Sequence, residues 1–134
     1  MMKQNKKVFS DMPLTSLFDR IGGTTAVRMA VAKMYDKILS DEELAIFFDD
    51  IGVDALRRSQ TAFVTMAFGG PDHYDGANLR RAHTRLVEQG LSDRHFDAVA
   101  GHLEDAMREL GVAESLITEA LAIVESTRKD VLNQ

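Results

Sequence analysis

Cysteine is absent from the 134 residues. Its absence excludes disulfides, thiolate zinc sites, iron–sulfur clusters and thiol nucleophiles. Proline is scarce: Pro13 and Pro71 are the only two, and both fall where connections between helices are expected. No apolar run is long enough to span a bilayer. The basic residues Lys3, Lys6 and Lys7 near the start are not followed by the apolar stretch of a secretory signal. Positive charge is in deficit, with 16 Lys and Arg against 21 Asp and Glu and a net charge of −5. That balance argues against nucleic-acid binding, which needs a basic face. There is no glycine-rich phosphate loop, no GxSxG and no HExxH. No segment alternates as a strand would.

Apolar residues make up 45% of the chain and charged residues 28%, the balance of one globular domain that buries its own core. Residues 1–13 read as a flexible polar leader, and the spacing beyond them is helical almost throughout. A short helix from about Leu14 ends at Gly22 and Gly23. Thr24 is the expected cap of the next, which carries Val27, Val31, Met34 and Ile38 on one face with Tyr35 beside them. Asp54 heads a helix to about Phe68. A further helix covers about Leu79 to Val87, and Gly90 ends it. Ser92 caps a long one that Gly111 ends, and a last unbroken helix runs from about Ala113 to Val131. The fold class is all-α.

Four histidines are candidates for chemistry. His73 belongs to a polar loop. His95 and His102 fall at the rim of the core face of their helix. His83 lies on the buried face of its own, four residues after Leu79 and three before Leu86. Gln60 interrupts the apolar stripe of Leu56, Phe63 and Ala67. It is either a satisfied core amide, bonded to a carbonyl or a buried water, or a donor to a ligand. Tyr35 offers the same choice, because its hydroxyl needs a partner. Glu104, Asp105 and Glu109 read as surface charges. Arg80 and Arg81 read as solvated, or as partners for a carboxylate at the edge of a bound group. One imidazole with a phenol and an amide in an apolar helical core suits an iron ligand on one side of a haem and hydrogen-bond donors on the other.

Several stretches carry a family resemblance. They are Ile21-Gly22-Gly23-Thr24-Thr25-Ala26-Val27, Phe47-Phe48, Ala67-Phe68-Gly69-Gly70, His73-Tyr74-Asp75-Gly76, Ala82-His83, His95-Phe96-Asp97-Ala98-Val99-Ala100 and the ending Asp130-Val131-Leu132-Asn133-Gln134. In these the chain resembles the group I truncated haemoglobins, cyanobacterial members above all, over residues 14–134. The resemblance implies a two-over-two helical sandwich around one haem b. It implies His83 as the proximal iron ligand, Tyr35 and Gln60 as the distal pair, and Phe48 packed on the macrocycle. Leu56, Phe63, Leu79, Phe96 and Val99 would form the pocket wall, with Leu56 facing the gas site. Two positions depart from some cyanobacterial members. Ser59 stands where a histidine can be the sixth iron ligand, and Thr127 stands where a histidine can be joined covalently to the haem. A non-covalent haem and an open distal site are therefore expected.

The expected function is reversible binding of O2, CO and NO at the haem iron. Nitric oxide dioxygenation with electrons from an external reductase is the expected enzymatic role, in a cytoplasmic monomer without nucleic-acid or membrane partners. The rivals are an electron-transfer haemoprotein and a cofactor-free helical interaction module.

Overall fold

The computed structural model describes residues 16–48, 52–69 and 76–134; within these, the side chains at 53, 55, 56, 59, 66 and 76–79, Leu56, Ser59 and Leu79 among them, are outside the description. The leader, His73 and the loop 70–75 also lie outside the described residues.

Eight α-helices and one 3₁₀ turn are found among the described residues, and no strand. They are α1 (Leu17–Ile21), α2 (Gly23–Leu39), α3 (Glu42–Ala45), the 3₁₀ turn Ile46–Phe48, α4 (Val53–Ala67), α5 (Gly76–Glu88), α6 (Asp93–Glu109), α7 (Glu114–Glu125) and α8 (Arg128–Val131). α2 is the central element, packing on α6, α4 and α1, while α7 packs on α6 and α1. The 3.6-residue period explains the arrangement: Val27, Val31, Met34 and Ile38 share one face of α2 and are at most 2% exposed. Burying side chains of this size stabilises by about 1.5–3 kcal/mol each. Leu103, Ala106 and Met107 of α6 and Ile117 and Ala120 of α7 complete the core.

Gly22 lets α1 and α2 meet. Its φ of 121° closes α1, where its N–H reaches the Asp19 carbonyl at 3.1 Å. The same residue is the N-cap of α2, which begins at Gly23 without a side-chain cap. Thr24, the expected cap, therefore stands inside the helix. A glycine pair that turns the chain this tightly brings the helix in one residue earlier. The Phe18 amide donates to the Phe68 carbonyl at 2.8 Å, fastening α1 to the end of α4.

The last helix is not continuous to Val131. α7 stops at Glu125 and α8 begins at Arg128. The Thr127 hydroxyl donates to the Val124 carbonyl at 2.7 Å, and Ser126 does the same to Ile123. Such back-bonds compete with the helix ladder, which is why a Ser-Thr pair can break a periodic pattern that reads as one helix.

Candidate functional site

Between α2, α4, α5 and α6 lies a cavity of about 280 Å³. That is near the low end of ordinary ligand pockets, roughly 300–1,000 Å³. Met34, Tyr35 and Ile38 reach it from α2, Phe47 and Phe48 from the 3₁₀ turn, and Gln60, Phe63 and Val64 from α4. Ala82, His83, Arg85 and Leu86 line it from α5, and His95, Phe96, Val99 and Leu103 from α6. Val124, Thr127 and Val131 close one end.

Seven residues expected from the sequence thus meet in one cavity: Tyr35, Phe48, Gln60, Phe63, His83, Phe96 and Val99. Leu56 and Leu79 were expected there too, and their side chains fall outside the described ones.

The polar groups are distributed by wall. His83 comes from α5, while Tyr35 and Gln60 come from α2 and α4. The Tyr35 hydroxyl is hydrogen-bonded to the Gln60 side chain. Tyr35 is 1% exposed. Burial disfavours the phenolate and pushes the phenol well above its usual range, only partly offset by the Gln60 bond. Its O–H is thus retained as a donor at any physiological pH. The Tyr35 ring meets Phe48 edge-on at 86°, with centroids 6.1 Å apart, which fixes its direction.

His95 is buried rather than at the rim. Its Nδ1 accepts from the Ser92 amide at 3.0 Å, forming the capping box of α6, and its ring packs edge-on to Phe47 at 4.8 Å. The sequence showed Ser92 as a cap but hid the reciprocal role of the histidine at N3, because that position normally holds Glu or Gln. His102 donates from Nε2 to Asp41 at 3.0 Å. Arg80 does not turn to the cavity: its Nε donates to Asp130 at 2.9 Å. Glu104 and Asp105 pair with Arg108, and Glu109 with Lys33 and Lys37, as surface charges do. No group of three or more potential metal ligands occurs among the described residues. Phe47 and Leu103 are cavity residues that site reasoning missed; both lie next to or in register with residues it did select.

Comparison with known proteins decides the identity of this architecture. The model of the bacterial-like globin family matches residues 16–133. The chain belongs to that family. Within it, this globin is 46% identical over 124 residues to the group 1 truncated haemoglobin of Synechocystis sp., covering 90% of this chain and 100% of the relative. It is 40% identical over 119 residues to the group 1 truncated haemoglobin of Tetrahymena pyriformis, covering 89% and 96%. The solved 2/2 haemoglobin of Synechococcus sp. PCC 7002, determined with covalently attached haem, superposes with a TM-score of 0.84 at 43% identity, covering 90% of this chain and 100% of that one. The two-over-two fold holds for this globin, in which α2 packs on α4 and α6, and α6 on α7.

Haem is the cofactor of the family, and the donor set fits it. Of the two imidazoles lining the cavity, His95 is engaged by Ser92 through Nδ1 and His83 on the α5 wall suits an iron ligand, while a phenol and an amide on two other walls suit a small polar ligand. Phe48, Phe63, Phe96 and Val99 give the macrocycle an apolar surround. No second imidazole shares the Tyr35 and Gln60 walls among the described residues.

Proposed function

We propose that this globin reversibly binds O2, and other diatomic gases such as CO and NO, at a haem held by His83. Ferrous haem supplies, when bound, an open coordination position for such a ligand. The observation that carries the reading is the buried Tyr35–Gln60 hydrogen bond on the cavity wall. Tyr35 and Gln60 hold two donors where an apolar wall would otherwise stand. Each stabilises a polar ligand by about 1 kcal/mol, and more where water is excluded. Phe48 packs edge-on against the Tyr35 ring and limits its movement. Arg85 brings a guanidinium to the cavity, suited to a propionate carboxylate.

Thr127 lines the cavity with its hydroxyl already donating to Val124, and it offers no imidazole for attachment. This supports a non-covalent haem. Ser59, in the same way, is too weak a ligand to be a sixth partner of iron.

The enzymatic role we infer is nitric oxide dioxygenation. O2 and NO would combine to nitrate, with ferrous haem supplying one electron that an external reductase would return. We infer that an external reductase supplies this electron, since the globin fold itself holds no flavin or nicotinamide. The acidic, cysteine-free composition supports a cytoplasmic setting, and we read the working unit as a monomer. The deciding experiment is rapid mixing of the O2-loaded protein with NO. Nitrate formed in step with loss of the O2 spectrum is the expected result. Slow decay without nitrate would exclude the dioxygenase role and leave gas binding alone.

A further inference from the structure

The helix that carries His83 has an unusual attachment. Among the described residues, α5 packs most extensively on α8 rather than on the central helices. We propose that residues 128–134 act as an anchor that sets the position of His83 relative to the haem, with Arg80 and Asn133 as its positioning residues. The proposal rests on the reading of His83 as the haem ligand.

Arg80 makes two bonds to this segment. Its Nε donates to Asp130 at 2.9 Å, and its Nη2 donates to the Gln134 carbonyl. Asn133 answers from the other side: its Nδ2 donates to the Arg80 carbonyl at 3.2 Å, and its Oδ1 lies 3.1 Å from the Thr84 hydroxyl, whose single proton it shares with the Arg80 carbonyl at 2.9 Å. Arg80 and Thr84 are one helical turn apart, and His83 lies between them in sequence. At roughly 100° per residue, clamping two positions a turn apart fixes both the rotation and the slide of the helix. The azimuth of the His83 imidazole is fixed with them.

The clamp depends on a particular backbone shape. Asn133 has φ 59°, the left-handed conformation that asparagine tolerates after a helix end. The Gln134 amide then closes on the Lys129 carbonyl at 2.8 Å. This turn swings the Asn133 side chain and the Gln134 carbonyl back onto α5.

The other end of the segment is tied to the core. Arg128 donates to Asp93 at 2.9 Å and also to Asp97, both in the first turns of α6, and its guanidinium sits 4.5 Å above the Phe96 ring centroid. Glu125 of α7 accepts from it as well, at 2.7 Å. α8 therefore links α5 to α6, whose own apolar face is locked against α2. Exposed ion pairs contribute little to stability singly, so the natural role of this network is geometric.

The test compares haem-loaded wild type with Arg80→Ala, Arg80→Lys and Asn133→Gly. The glycine keeps the left-handed turn and removes only the side chain. Two readouts are taken: amide hydrogen exchange resolved by helix, and the iron–histidine stretching band of the reduced protein by resonance Raman. With Arg80→Ala and Asn133→Gly, amides of α5 are expected to exchange about tenfold faster while those of α2 and α6 keep their wild-type rates. The iron–histidine band is expected to shift or broaden, with Arg80→Lys partly restoring it. Wild-type exchange in α5 and an unchanged band in both variants would overturn the proposal. A uniform acceleration across all helices would overturn it equally, since that is loss of stability and not of positioning. Failure of the haem reading shows separately, as a wild-type chain without a Soret band.

Discussion

Tyr35 on α2 and Gln60 on α4 share a hydrogen bond at the wall of the cavity that His83 enters from α5. Two polar side chains satisfy one another in an apolar core while remaining within reach of a ligand. Tyr35→Phe and Gln60→Leu each remove a donor worth about 1 kcal/mol, so each is expected to raise the O2 dissociation rate by roughly 5- to 10-fold. The double variant should fall short of the product of the two, because the residues touch. Stopped-flow displacement of O2 by CO measures this. Wild-type dissociation rates in both single variants would dismiss the distal pair.

His83 is the candidate iron ligand. His83→Leu is expected to abolish the stoichiometric Soret band of the reconstituted protein and its shift with CO, while the far-ultraviolet helical signal persists. An absorption titration with haem is the check. A variant that still binds one haem with the wild-type reduced spectrum would move the ligand elsewhere.

Asp41 gives a pH-dependent contribution. The hydrogen bond from His102, aided by the Glu43 amide at 3.1 Å, outweighs desolvation and holds its carboxyl below the ordinary 3.8. A depressed pKa means stability that is fully present above the unfolded value and lost as pH falls through the lower folded value. Asp41→Ala should therefore lower the urea midpoint at neutral pH. The gap to wild type should close as the pH falls below about 3.8 toward acid. Urea melts across that range test it, and a gap independent of pH would rule out the ionised Asp41 carboxylate as its source.

Gly22 is held at φ 121°, and an added Cβ would meet the Ala26 Cβ at 2.9 Å. Strain and overlap together make Gly22→Ala destabilising by about 1–3 kcal/mol. Equilibrium urea denaturation gives the value directly. A change within a few tenths of a kcal/mol would show that the α1–α2 junction can relax.

Some of this protein follows from its sequence alone. The 3.6-residue period of Val27, Val31, Met34 and Ile38 dictates one buried helix face, and the glycines dictate where helices stop, because both act within a few residues of chain. The absence of cysteine and the lack of basic excess are statements about composition and need no coordinates. The glutamine in an apolar stripe and the histidine on the inward face of its helix could be picked out from the sequence, as could their likeness to a globin, and the structure leaves both side chains half-buried at the cavity. What tertiary structure decided is whom those groups meet. The Tyr35 hydroxyl meets Gln60, His95 closes a capping box, and Arg80 turns to Asp130 instead of the cavity. The break between α7 and α8 belongs to the same class, since a Ser-Thr pair is compatible with a helix until neighbouring contacts favour the alternative. Pattern along a chain constrains which face is buried. It does not constrain the partner across the fold, which depends on how helices distant in sequence come to lie side by side.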